Sequence, residues 1–341
     1  MPAFAATGRK PVAQKEKKIS TDTVVHAKPV SIPIDPTVAT VTVIPASLDK
    51  PLNAQPLELY RSHAISLGLM HLLCLMALNP YYFSWSGLGL AIAGHFFYGM
   101  LGINVGYHRL LTHRGFKCPK WLEHFLAILG ICNLQDSPAR WVAIHRMHHH
   151  HSDQQADPHS PGAGFWWGHL GWVLFRNRDH DNKRHYERYV RDLLRDPFYL
   201  KLETRWRWIG VYLGHALLYF LVGFALGWLW TGTAEGGQQL GMSWLVWGVF
   251  VRTVFVWHGT WAVNSVTHLF GYRNYDTPDN SRNQWLVALF THGEGWHNNH
   301  HAQPRSARHG HRRWEIDMAW WVIRTLEMVG LAKNVTRPKK T

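Results

Sequence analysis

Four long stretches with few or no charges organise the chain, at roughly residues 62–83, 87–107, 208–230 and 242–267. About 20 consecutive apolar residues suffice to cross a bilayer as a helix, so each stretch is long enough to span. The joins within each pair, 79–86 and 231–241, are short, which disfavours four helices buried in a large soluble protein. Two further apolar runs, 121–134 and 165–175, are below spanning length and are expected to lie along or dip into the membrane face. The last run, 318–331, carries Arg324 and Glu327 and is expected on a cap outside the bilayer. Residues 1–55 hold Pro, Lys, Thr and Val without sustained period and lack the apolar core of a signal peptide, so they are expected to form a disordered cytosolic tail. The expected architecture is all-α: an integral membrane domain over 56–335, with four transmembrane helices and a cytosolic helical cap.

Charge then orients the helices. The net charge is +14 in a chain that is 46% hydrophobic and contains 19 tryptophans, a residue that favours the membrane interface. Neither 79–86 nor 231–241 contains Lys or Arg, whereas 106–207 and 268–341 are rich in both. By the positive-inside rule the basic segments and both termini face the cytoplasm. The basic balance is thereby accounted for without nucleic acid, and no groove-reading motif is present. The three cysteines, Cys74, Cys118 and Cys132, form no close pair, which excludes a disulfide framework or thiolate metal site.

The candidate chemistry lies in the 25 histidines. His108 and His113 follow the second span; His145, His148 and His149 form one trio, and His297, His300 and His301 another. The trios share an i, i+3, i+4 spacing that puts three rings on one face of a helix. The i, i+5 pair aligns poorly on an ideal helix and requires a helix end or a bulge. Two spans separate the first two clusters from the third, so all three return to the same side of the membrane. Imidazole suits zinc, copper, iron or nickel. A structural zinc needs only four ligands, so eight or more histidines fit two metals with open positions. Neutral ligands leave the metal charge uncompensated, which calls for carboxylates bonded behind them, with Glu294, Asp136 and Asp157 as candidates beside a plain solvated or helix-capping role.

The motifs Gly-Tyr-His-Arg-Leu-Leu-Thr-His-Arg at 106–114, His-Arg-Met-His-His at 145–149 and Gly-Glu-Gly-Trp-His-Asn-Asn-His-His at 293–301 resemble those of the membrane fatty-acid desaturases of the acyl-CoA (delta-9) type, including bacterial acyl-lipid relatives. So do Ala-Asp-Pro-His-Ser-Pro at 156–161 and the 260–273 segment, and the resemblance runs from about residue 57 to 331. It implies a ninth ligand, His268, beside His108, His113, His145, His148, His149, His297, His300 and His301, and it implies that Asn264 orients a metal-bound water. It further implies two Fe(II) ions, dioxygen, and two electrons from a separate donor such as ferredoxin or cytochrome b5. The reaction implied is cis desaturation, with delta-9 as the family default, of an acyl chain carried on coenzyme A or a glycerolipid. His159, in the Asp-Pro-His segment, is a candidate for a place behind the ligands. Arg252, an intramembrane charge matching the family pattern, is expected either to be paired internally or to touch the substrate tunnel.

The remaining histidines carry blander expectations. His150 and His151 exceed their motif and are expected to be exposed, and His309 and His311 to lie on the surface. His71, His95, His215 and His258 are expected to pack within spans. A related di-iron membrane hydroxylase shares the histidine boxes and would give an alcohol in place of an alkene. A metal transporter would place polar ligands within the spans, where few are found.

Overall fold

The computed structural model describes residues 47–339, and among them it contains helices and no strands. Four helices are long and apolar enough to cross a membrane: α1 (Arg61–Leu78), α2 (Trp85–Thr112), α5 (Arg207–Thr231) and α6 (Ala234–His268). Between α2 and α5 come α3 (Lys120–Ile131), α4 (Pro138–His151) and several short turns. After α6 come α7 (His297–Ala302) and α8 (Met318–Met328). All four expected spans are present. The last begins well before residue 242, because Thr233 caps a new helix by accepting the Gly236 N–H at 3.1 Å. Most of the expected 231–241 join is therefore helical.

The hairpin of α5 and α6 is built on small residues. Gly223 and Gly227 face Gly236 and Gly241, where an added Cβ would stand 2.4–2.9 Å from the facing backbone. A second close approach holds α3 against α2. A Cβ on Gly130 would stand 2.2 Å from the Tyr107 ring, and one on Gly102 would stand 2.4 Å from the Gly130 nitrogen. Tyr107 lies one residue before His108, so this contact fixes the height of the first histidine. Gly130→Leu is expected to overpack the seam and to lose most of the folded, monodisperse protein recovered from membranes, as read by size-exclusion chromatography.

Arg252 is buried in α6 and pairs internally. Its guanidinium donates to the Cys132 carbonyl at 2.9 Å, to Asn133 Oδ1 at 3.1 Å and to the Gly248 carbonyl at 2.8 Å, and it sits 4.4 Å from the Tyr98 ring centroid. It satisfies the carbonyl end of α3, and of the two expectations for it, internal pairing is the one observed.

Much of the expected 1–55 tail, residues 1–46, lies outside the described residues. Residues 47–55 are attached to the rest of the chain. The Leu48 N–H donates to the Gly162 carbonyl at 2.8 Å, and Ala54 is buried. Near the other end, Lys117 and Lys333 exchange backbone bonds at 2.8 Å, and the Ala307 N–H donates to the Thr336 carbonyl at 2.9 Å. These ties clamp the region that carries the histidines.

Candidate metal centre

The segment His95–Thr112 of α2 is wound with i→i+5 bonds in place of i→i+4, and the His113 N–H donates to the His108 carbonyl at 3.1 Å. Such π-type winding is rare, and it brings residues five apart toward one face. It supplies the bulge that the His108/His113 spacing requires, and the two rings lie 4.8 Å apart.

The nine histidines converge as two groups. His108, His113, His145, His149 and His300 form one, and His148, His268, His297 and His301 the other; within each, the candidate ligand nitrogens lie within 4.8 Å of one another. The trios are thus shared crosswise. On α4, His145 and His149 serve the first group and His148 the second; on α7, His300 serves the first and His297 and His301 the second. The groups adjoin, with the His149 and His301 rings 4.6 Å apart.

Carboxylates stand behind four of the rings. Glu294 lies 2.6 Å from His108 Nδ1, Asp157 3.0 Å from His148 Nδ1, Asp153 2.8 Å from His268 Nδ1 and Asp279 2.6 Å from His301 Nδ1. Each accepts the Nδ1–H and so leaves Nε2 as a bare lone pair directed into its group. His148 Nε2 and His301 Nε2 then face each other at 3.3 Å, two acceptors with no proton between them. The same crowding recurs at His300, whose Nε2 lies 3.2 Å from that of His108 and 2.9 Å from that of His149. Buried His113 Nε2 has no hydrogen-bond partner among the described residues. Converging lone pairs repel unless a cation lies among them, and edges near 3 Å suit nitrogens about 2.1 Å from a common centre. The donor set fits metal ions.

The electrostatics agree. Burial, reinforced by neighbouring imidazoles, pushes His113, His145, His148, His149, His297 and His300 far below the ordinary histidine range, so all six are neutral. Burial opposes ionisation of Asp153 and Asp279, yet His268 and His301 hold both carboxyls below their usual range. Burial also opposes ionisation of Glu294, and Arg109, His108 and His309 together overcome it. Asp157 is pushed up by burial. For the metal-free protein the sign follows from the six histidines. Their folded values lie below the unfolded value of about 6.5, so the unfolded chain takes up protons first and stability falls as pH drops below about 6.5. One such group contributes about 1.4 kcal/mol per pH unit, so the loss is steep. Thermal unfolding of chelator-treated protein is expected to show its midpoint falling sharply from pH 7 to pH 5, and a flat profile refutes the assignment.

Some placements depart from expectation. Asp136 touches none of the nine histidines; it accepts from Arg140 at 3.1 Å and lies 3.7 Å from His63. His309, expected on the surface, is fully buried, with Nδ1 3.0 Å from Glu294. Arg109, also buried, bonds Glu294 at 3.0 Å and Asp317 at 2.9 Å and steadies that carboxylate. His159 stacks 4.3 Å from His148, and its backbone N–H donates to Asp157 at 3.1 Å. Asp153 and Asp279 were not among the sequence candidates. The signal for Asp153 is its place just beyond the second trio, and Asp279 follows the 260–273 segment by six residues. His150 is exposed, as expected, and His151 partly so.

A cavity of about 710 Å³ reaches the centre. His145, His159 and Asn264 are among the residues that line it, and Leu134, Tyr212, Trp257 and Trp261 are among its apolar walls. A mostly apolar cavity that includes one of the clustered histidines suits a hydrocarbon substrate.

The fatty acid desaturase family model matches residues 83–333. The chain belongs to the fatty acid desaturase family. It is 46% identical over 269 residues to the sn-1 stearoyl-lipid 9-desaturase of Anabaena variabilis, covering 79% of this chain and 90% of that protein. It is 42% identical over 274 residues to the sn-2 palmitoyl-lipid 9-desaturase of a Nostoc species, covering 80% and 89%. An acyl-CoA 5-desaturase of Anemone leveillei is 43% identical over 278 residues, covering 82% and 80%. As a desaturase, the protein is an oxidoreductase of fatty-acyl chains, metal-dependent and integral to the membrane, and its histidine clusters can hold metal ions.

Proposed function

We propose that this desaturase places a cis double bond at the delta-9 position of a saturated acyl chain. It would hold two iron ions in the two histidine groups and use dioxygen and two electrons from a separate acidic donor such as ferredoxin or cytochrome b5. The observation that carries this reading is the apolar cavity whose lining includes His145 and Asn264. The delta-9 position rests on the stearoyl-lipid and palmitoyl-lipid 9-desaturases among the relatives. Bound iron would supply the oxygen activation needed to break an unactivated C–H bond.

The protein's share is placement. His108, His113, His145, His149 and His300 would hold one ion and His148, His268, His297 and His301 the other. Asp153, Asp157, Asp279 and Glu294 fix the ring tautomers, and their four negative charges match the charge of two divalent ions. Asn264, one turn before His268, would orient a metal-bound water in the cavity. The walls exclude bulk water and decide which methylene is presented. The active site and both termini would face the cytoplasm, because the joins on the other side carry no Lys or Arg. A basic surface there suits an acidic donor.

The test is gas chromatography–mass spectrometry of fatty acids from a host expressing the chain, beside its His148→Ala variant. A new cis-monoene absent from the variant is expected, and the fragmentation pattern gives the bond position. Hydroxylated lipid from well-expressed, iron-loaded protein would overturn the reading in favour of a hydroxylase.

A further inference from the structure

The cavity is a slot. Its floor is α6, on which α1 and α5 each pack, and the two meet at its base, where the Tyr212 hydroxyl donates to Met70 Sδ at 3.8 Å. Leu67 and Met70 of α1 and Tyr212 and Ala216 of α5 are buried with Val249, Trp257 and Trp261 of α6. One stripe of α1, Ser62, Ser66, Leu69 and Leu73, forms one wall, and one stripe of α5, Ile209, Leu213, Leu217 and Phe220, forms the other. Leu69, Leu213 and Leu217 line this slot and are nevertheless 53%, 59% and 56% exposed. Residues that both line a cavity and face outward mark an opening, and on two spanning helices outward is toward lipid.

Two further observations say what enters. The slot is graded: Ser62, His63, Gln135 and Asp136 are the polar members of its lining, and Met242, Leu245 and Phe250, on the earlier part of α6, are apolar. That gradient matches an amphiphile whose ester rests among the polar residues at the mouth while its hydrocarbon runs past His145 and Asn264 among the apolar walls. At the polar end, Arg205 and Trp206 both occupy the left-handed backbone region that favours glycine, with φ of 54° and 59°. This turn sets the Trp206 indole at the mouth, 57% exposed and lining the slot, where an aromatic ring suits the lipid headgroup level.

We propose that the gap between α1 and α5 is a side door through which the acyl chain of a membrane glycerolipid, still esterified, slides from the bilayer to the histidine centre. This rests on the acyl-desaturase reading and specifies its substrate class and route: a lipid entering laterally, not a thioester entering from water.

Photolabelling without turnover tests it. The full-length protein is placed anaerobically in vesicles of phosphatidylcholine, a fraction of which bears a mid-chain diazirine on its stearoyl group, and labelled residues are mapped by mass spectrometry. Label is expected on Leu134 and Ile144 inside the slot as well as on outer Leu72 and Leu218. Leu69→Trp with Leu213→Trp, plugging the door from lipid-exposed positions, is expected to lower the inner label at least tenfold and spare the outer. Ser66→Trp with Leu217→Trp should do the same, and Leu229→Trp, on the lipid face away from the slot, should change nothing. Inner label that persists in both plugged variants overturns the proposal. So does inner label that arises only from diazirine-bearing stearoyl-coenzyme A added in water. Because the readout needs no catalysis, a host that makes no monoene would sink the desaturase reading and leave the door standing.

Discussion

His300→Ala and His301→Ala are each expected to end product formation, although the two neighbours serve different histidine groups. If, as proposed, both groups hold an ion that the chemistry needs, loss of either is as complete as loss of both, and the single and double variants should be indistinguishable in fatty-acid profile. Metal content separates this from simple misfolding. Each variant should migrate as wild type on size exclusion while holding half or less of the wild-type metal per chain by elemental analysis. A variant that loses one group and still makes the monoene would show that group to be structural.

The second large effect lies one bond further out. Asp279 accepts the His301 Nδ1–H and is itself held by Ser281 and Thr277. Asp279→Ala frees the ring to rotate and to swap tautomers, and metal affinity is expected to fall about 100-fold, the upper end for a partner behind a ligand. Asp279→Asn keeps an acceptor oxygen but removes the charge, so a loss of about tenfold is expected. Competition with a chromophoric chelator reads both. Equal affinities for the two variants would show that charge alone matters, and wild-type affinity in both would remove Asp279 from the centre.

The four spans were legible because length and apolarity dictate them, and the clustering of the histidines because their spacing repeats. The crosswise division of each trio was not legible. An i, i+3, i+4 face says that three rings point one way, and only the facing helix decides which ring meets which partner. The i, i+5 pair did carry its own signal, since it required the irregular winding that α2 adopts. The carboxylates were harder. Glu294 and Asp157 sit inside motifs, but Asp279 reaches His301 across 22 residues of chain, and only its place six residues after the 260–273 segment marks it. Asp136 was misplaced for the converse reason: nearness in sequence to a histidine trio put it among the candidates, while Arg140, one helical turn on, claims it. His309 sits among basic residues that read as surface, yet buried Glu294 and Arg109 draw it inward.

The crosswise sharing has a consequence for how the centre fills. Because α4 and α7 each lend ligands to both groups, fixing either helix for one ion also fixes it for the other. The conformational entropy lost in ordering these helices is charged to the first ion alone, and the second finds its nitrogens already aimed. With two ions bound as proposed, uptake would be close to all-or-none: chains in a metal-poor cell would divide into empty and fully loaded molecules, and half-filled centres would be rare.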